Sequence, residues 1–304
     1  MINFKKLETF LLVSDLGSLS RAAKVMGATQ SFISRQIGQL EDEWGDKLFE
    51  RTGRGMALSS FGQRLKPEVS LLFEQMRRMD AAVRDNAGIL TGDVRIGIIP
   101  SMAHRLFPLL FADIQKRAPA VRLHLVEAFT GTLDEQLTAG SLDLAIMNRF
   151  DESLRSEEDV LGSLDTLLVG KAGHPLVQRK VVRFNELADV PLVLAPAPNG
   201  LRTFLERHSG MLGIRLNIKA EVNTLSAMLN IVGNGDAFTL LGMLAVDELV
   251  HAGCLQTSQI VSPAMTRTVS LGLTRHHPLS RPARVVAKRT RELASRLLAS
   301  QQAA

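Results

Sequence analysis

The sequence has one cysteine, Cys254, so no disulfide can form within the chain and nothing in it calls for an oxidising compartment. Long apolar runs are missing as well: none approaches the roughly 18 residues that a membrane span needs. The opening stretch MINFKKLETFLLVSDLG is interrupted by Glu8 and Asp15 and has no small-residue cleavage site. That argues against a signal peptide and for a cytoplasmic protein. The familiar catalytic signatures are also absent. There is no GxSxG elbow, no HExxH helix, no phosphate loop, and no Ser, His and acid set that the sequence can bring together. Gly233-Asn234-Gly235 lacks the third glycine and following helix of a dinucleotide loop, and His276-His277 has no Cys or further His at ligand spacing. Neither a cofactor nor a metal is expected, and the chain does not read as an enzyme.

What is present fits a globular protein of 304 residues, 45% hydrophobic and 22% charged, long enough for two or more domains. Its net charge of +5 mildly favours an anionic partner. The distribution of charge says more. The segment RTGRGMALSSFGQRLK at 51–66 holds Arg51, Arg54, Arg64 and Lys66 and no acid.

That basic segment follows the most informative stretch of the chain, TQSFISRQIGQLEDEW at 29–44. Ile33, Ile37, Leu40 and Trp44 fall at spacings of four, three and four, one stripe of an α-helix. The other side carries Ser31, Ser34, Arg35, Gly38 and Gln39, short hydrogen-bonding groups with one Arg and one gap. Arg pairs bidentately with guanine, Gln with adenine, and Ser reaches bases or phosphates, so the face suits a DNA major groove. A solvated surface helix is the alternative. The preceding residues decide between them. Ser18 to Met26 reads as a short helix with Ser18 as N-cap, and Gly27-Ala28 breaks it, which makes a helix-turn-helix. Phe4, Leu7, Phe10 and Leu11 predict a first helix over 3–15, and the glycines at 53 and 55 predict a wing with Arg54 at its tip.

On these residues the sequence resembles the LysR-type transcriptional regulators. The match runs through Gly17-Ser18, Ala22-Ala23, Gln30, Ser34-Arg35-Gln36-Ile37, Leu40-Glu41, Gly45, Leu48-Phe49, Arg51, Arg54, Leu58-Ser59 and Gly62. It departs at Ser31, Trp44 and Ser59, where Pro, Leu and Thr are usual in that family. PNGLR at 198–202 and the stretch from GSLSRAA to GRG resemble more particularly the nitrogen-assimilation-control regulators. The resemblance implies a partner, double-stranded DNA, with Ser18, Gln30, Ser31, Ser34, Arg35, Gln39, Arg51 and Arg54 as its contacts. It also implies RNA polymerase as a further partner.

Beyond Ser59, Leu65, Val69, Leu72, Met76, Met79 and Val83 alternate spacings of four and three, the seam of a coiled coil. Val69, Leu72, Met76 and Met79 are therefore expected to pair with a second copy, the alternative being a helix packed on its own chain; the family resemblance implies a homodimer or a homotetramer. Pro67 predicts either a kink or a true helix start near Lys66. After Asn86-Ala87-Gly88, apolar runs and helical runs alternate: strands at 93–99, 121–126 and 142–147, helices at 103–117 and 132–139, then a second such set from Leu164. Alternation of this kind predicts parallel α/β sheets. The expected fold class is thus α/β behind an all-α winged helix-turn-helix. The reading domain is residues 1–58, a linker helix covers 59–88, and a two-lobed domain like the periplasmic binding proteins covers 89–304. Lobe I would take about 89–166 and 267–304, lobe II about 167–266.

Ligands of such sheets bind beyond the carboxyl ends of strands. Ser101, Thr130 and Arg149 fall there in one lobe, and Asn199, Arg202 and Thr224 in the other. A small, anionic effector is expected among them, because helix N-termini favour negative charge. The competing reading of Ser101, Thr130 and Thr224 is that each merely caps a helix. The competing function is a cytoplasmic cleft enzyme or solute-binding protein with an accessory helix-turn-helix.

Overall fold

A computed structural model describes residues 3–52, 55–85, 90–150, 158–197 and 199–302. The chain divides into two compact units, Met1–Val83 and Arg84–Ala304.

In the first unit, α1 (Phe4–Leu16), α2 (Leu19–Met26) and α3 (Gln30–Trp44) precede a hairpin of β1 (Phe49–Thr52) and β2 (Gly55–Leu58), and α4 (Ser60–Asp85) follows. The helices begin where short polar side chains accept backbone N–H groups. Ser18 takes that of Arg21 at 3.3 Å, and Thr29 that of Phe32 at 3.2 Å. Gly27 ends α2 at φ 60°, a left-handed conformation that a residue without Cβ adopts freely, and this fixes the tight turn into α3. Leu7, Phe10, Val13, Ile33, Ile37 and Leu40 close the core. The hairpin is bonded to this bundle: Met56 N–H donates to the Gly17 carbonyl at 3.0 Å. A Cβ on Gly55 would lie 2.5 Å from that carbonyl oxygen, so only glycine permits the approach.

Helix α4 begins at Ser60 and runs on through Pro67, so the expected start near Lys66 is not met. Proline removes one hydrogen bond to the carbonyl four residues back, here Gln63. Pro67 and Gln63 are both exposed, so water can serve that carbonyl. The seam expectation also needs correction. Val69 is only 4% exposed and belongs to the core of its own unit, with Leu65, Leu72 and Phe73 packed beside it. The first half of α4 therefore roofs the three-helix bundle, and Phe73 meets Phe4 edge-on with ring centres 6.4 Å apart. Farther along, Met76 is half-buried and Met79 is 63% exposed.

The second unit holds two sheets. The first is built from β3 (Gly92–Ile98), α5 (Pro100–Arg117), β4 (Val121–Glu127), α6 (Thr130–Thr138), β5 (Leu144–Phe150) and β6 (Asp159–Asp165). The chain then crosses to β7 (Leu167–Lys171), α7 (Pro175–Gln178), β8 (Val181–Arg183), β9 (Leu192–Leu194), α8 (Gly200–Met211), β10 (Ile218–Glu221), α9 (Leu225–Asn234), β11 (Thr239–Leu241), α10 (Asp247–His251) and β12 (Leu255–Val261). It returns through β13 (Thr266–Leu273) and ends in α11 (Arg281–Gln302), which Arg289 ties to Asp113 of α5 at 2.6 Å.

The first sheet has the order β4-β3-β5-β13-β6, with β3 parallel to both neighbours. It is mixed, not purely parallel: β13 comes back from the second lobe and runs antiparallel to β5 and β6. In the second, β11-β7-β12-β8 form one group and β9 and β10 a parallel pair joined to it by the bridge Leu192–Phe238. Ile96, Ile98, Leu106, Leu144, Ile146 and Leu271 fill one core, and Leu168, Val182, Phe184, Leu192 and Leu205 the other. The two crossings lie side by side, Thr166 N–H donating to the Met265 carbonyl at 2.7 Å. Among the described residues no helix is long and apolar enough to cross a membrane.

Candidate DNA-reading helix and effector cleft

With Ile33, Ile37 and Leu40 buried, the helical period leaves Gln30, Ser31, Ser34, Arg35 and Gln39 exposed along α3. Gln30 is steadied by the Ser20 hydroxyl, which donates to its Oε1 at 2.9 Å, and Ser31 Oγ lies 3.0 Å from Thr29 Oγ1. Ser18 is half-buried, its hydroxyl oxygen occupied in capping α2. The backbone of Arg51 lies in β1, and Arg54 lies outside the described residues.

Sequence reasoning missed what anchors α3. Glu41 is 9% exposed and its Oε1 accepts the N–H groups of Leu48 at 2.9 Å and Phe49 at 3.4 Å, while Oε2 takes Lys47 Nζ at 2.7 Å. One carboxylate thus welds α3 to the first wing strand. The sequence signals were that Glu41 follows Leu40, on the packed flank of the helix, and that Leu40-Glu41 belongs to the family match.

In the second unit a cavity of about 70 Å³ opens between the sheets. From one lobe it is lined by Ser101, Thr130 and Asn148, and from the other by Asn199, Leu201 and Gly242. Three of the six expected residues therefore meet there. Asn199 caps α8, its Oδ1 accepting Leu201 N–H at 3.0 Å and Arg202 N–H at 3.3 Å. Thr130 Oγ1 accepts Asn148 N–H at 3.1 Å, which fixes the end of β5.

The other three lie elsewhere. Successive strand residues point to opposite faces, so when Asn148 faces the cavity Arg149 cannot. Arg149 is 5% exposed and bonded to Asp134 at 2.6 and 2.8 Å and to Glu158 at 2.9 Å. Those two carboxylates hold its pKa above the ordinary guanidinium value against the opposing effect of burial. Arg202, one position beyond the cavity wall on α8, pairs with Glu206 at 2.7 Å and Glu221 at 3.2 Å. Thr224 lines a second, more open cavity of about 510 Å³ together with Asn223, Ser226 and Asp247.

Arg267 was not anticipated. It lines the first cavity at 4% exposure, and burial pushes its pKa down to about 10, with the charge of Asp165 opposing. In sequence it is one more Arg beside an apolar run, and only the return of β13 between β5 and β6 carries it to the cleft.

The comparisons agree with this architecture. The family model for the bacterial regulatory helix-turn-helix of the lysR family matches residues 4–63, and that for the LysR substrate binding domain matches residues 87–295. The nitrogen assimilation regulatory protein nac of Klebsiella aerogenes is 26% identical over 296 residues, 97% of this chain and 96% of that one. The DNA-binding transcriptional dual regulator OxyR of Escherichia coli is 27% identical over 276 residues, 89% of this chain and 88% of its own. Nitrogen and peroxide regulators thus match about equally, and the resemblance of 198–202 to the nitrogen group does not single that group out; Pro198 itself lies outside the described residues. Among solved structures, the LysR family regulator CbnR superposes with a TM-score of 0.69 at 20% identity, over 96% of this chain and 99% of that one, and it has also been crystallised full-length with its target DNA. A helix-turn-helix with an exposed polar reading face, followed by a two-lobed cleft, meets both family models in their order along the sequence. The chain belongs to the LysR family of transcriptional regulators, with an N-terminal DNA-binding domain and a C-terminal effector-binding domain.

Proposed function

We propose that α3 reads DNA through Ser31, Ser34, Arg35 and Gln39, and that a small anionic effector between the lobes biases the regulator between two lobe arrangements. The observation that carries this reading is the convergence of helix starts on the cleft: α5 at Ser101, α6 at Thr130 and α8 at Asn199 turn their N-termini to one cavity. A ligand shifts such a protein only as far as it binds one arrangement better than the other. The reading domain would cover residues 1–58, the linker helix 59–88 and the effector domain 89–304, although α4 packs on the reading domain as far as Phe73. Two copies would pair through the outer part of α4, at Met76 and Met79, as a homodimer or homotetramer. The protein would act in the cytoplasm and make contact with RNA polymerase.

A disulfide switch within the chain is excluded by its single cysteine, Cys254, even though peroxide-inducible activators are among its relatives. The experiment is a gel shift of the full chain on the intergenic DNA upstream of its own gene, with and without small acids. A specific shift that one acid alters supports the proposal, and binding without sequence preference contradicts it.

A further inference from the structure

Arg267 is buried like Arg149 but treated differently. Arg149 holds two carboxylates. Among the described residues Arg267 Nη1 reaches only the neutral hydroxyl of Thr166, at 3.4 Å, and its Nε has no hydrogen-bond partner. Asp165, whose charge it feels, is instead bonded to Thr266 Oγ1 at 3.3 Å and Gln259 Nε2 at 3.4 Å. A buried guanidinium without a paired anion costs stability.

Its position is made by Gly242. A Cβ there would stand 1.6 Å from Arg267 Nη2, yet Gly242 has φ −89° and ψ 160°, a backbone any residue can take. The missing side chain serves clearance, not conformation. The same cavity receives the starts of α5 and α6, neither capped by a side chain, and Asn148 Oδ1, which is buried without a partner. Two positive helix ends and one unpaired cation therefore face the same small space.

We propose that Arg267 selects the charge of the cleft ligand, a small molecule with a single carboxylate or comparable oxyanion that pairs with the guanidinium and accepts N–H groups from the starts of α5 and α6. This rests on the cleft being the effector site. Arg267 also bonds Thr166, the residue of the other lobe crossing, so the ligand's charge acts at the point where the lobes join.

The test is thermal melting of the full chain with acetate, benzoate and inorganic phosphate against acetamide and benzamide, at constant ionic strength. Wild type, Arg267→Met, Gly242→Ala and Ser101→Ala are compared. At least one anion should stabilise the wild type saturably while its neutral counterpart does not, and the phosphate arm tells an inorganic oxyanion from a carboxylate. Arg267→Met should weaken that anion by about tenfold or more, the size of a lost charged hydrogen bond. Its ligand-free melting temperature should be unchanged or higher. Gly242→Ala keeps the charge but displaces it, and should weaken the anion too; it carries the test if Arg267→Met does not fold. Unchanged anion affinity in the folded variants, amides that stabilise as well as acids, or no stabilisation of the wild type by any anion would each overturn the proposal. Amides that stabilise the wild type but not Ser101→Ala would leave the cleft as the ligand site and remove only the role of Arg267.

Discussion

Asn148 and Arg149 are adjacent on β5 and serve opposite faces of its sheet: Asn148 lines the inter-lobe cavity, and Arg149 is forked onto Asp134 through bonds of 2.6 and 2.8 Å. Arg149 is thus a structural ion, and Asp134→Ala should destabilise the effector unit by about 3 kcal/mol, because it leaves a buried guanidinium half-paired. Urea unfolding followed by circular dichroism measures this. A midpoint equal to wild type would mean that Glu158 alone suffices.

On α3 the division between reading and support is sharp enough to separate by mutation. Arg35 is exposed and forms no hydrogen bond among the described residues, so Arg35→Ala should leave stability alone and cost about 1 to 3 kcal/mol in specific DNA binding. Glu41→Ala removes the acceptor for two buried N–H groups and should instead cost about 1 to 3 kcal/mol in stability. Fluorescence anisotropy and thermal melting on both variants would expose the reverse pattern if the assignment were wrong.

The two ends of the α4 seam should also respond differently. Val69→Ala opens a void in the core of the reading domain and should lower its stability by about 2 kcal/mol without dissociating the protein. Met76→Asp with Met79→Asp puts charge where a second copy would pack, and should give monomers in sedimentation velocity. A double variant that still sediments as a dimer would assign association to the effector domains.

Glu186 gives a prediction in pH. The Arg179 guanidinium, bonded to it at 2.7 and 3.0 Å, and then the Arg183 N–H at 2.8 Å lower its pKa from 4.5 to about 2. The folded state therefore favours the ionised form, which adds stability above pH 4.5 and loses that contribution as pH falls from 4.5 toward about 2. Unfolding midpoints of wild type and Glu186→Gln should converge across that window. Parallel curves would mean that the Arg179 pair contributes nothing.

Much of this was legible in the sequence where local rules govern. The period of Ile33, Ile37 and Leu40 gave the buried side of α3, and Ser18 and Gly27 gave the turn, because caps and periodicity act within a few residues. Ser101, Thr130 and Asn199 could be placed at the cavity wall because strand ends in α/β lobes face the cleft. Arg149 was misplaced by one position, and one position on a strand is the whole difference between its two faces. Arg267 and the direction of β13 depend on a return from the other lobe, a long-range event that no local pattern encodes. Val69 fitted a coiled-coil seam because a helix roofing a small bundle and a helix pairing with a copy bury the same spacing.

The most direct measurement is fluorescence anisotropy of the labelled upstream intergenic duplex, titrated with the full chain at one fixed salt concentration beside a scrambled duplex of equal length. Wild type should bind the natural duplex tighter by tenfold or more, about 1.4 kcal/mol, and Arg35→Ala should lose most of that preference. Equal affinity of the wild type for the two duplexes would contradict the assignment of α3 as a sequence-reading helix.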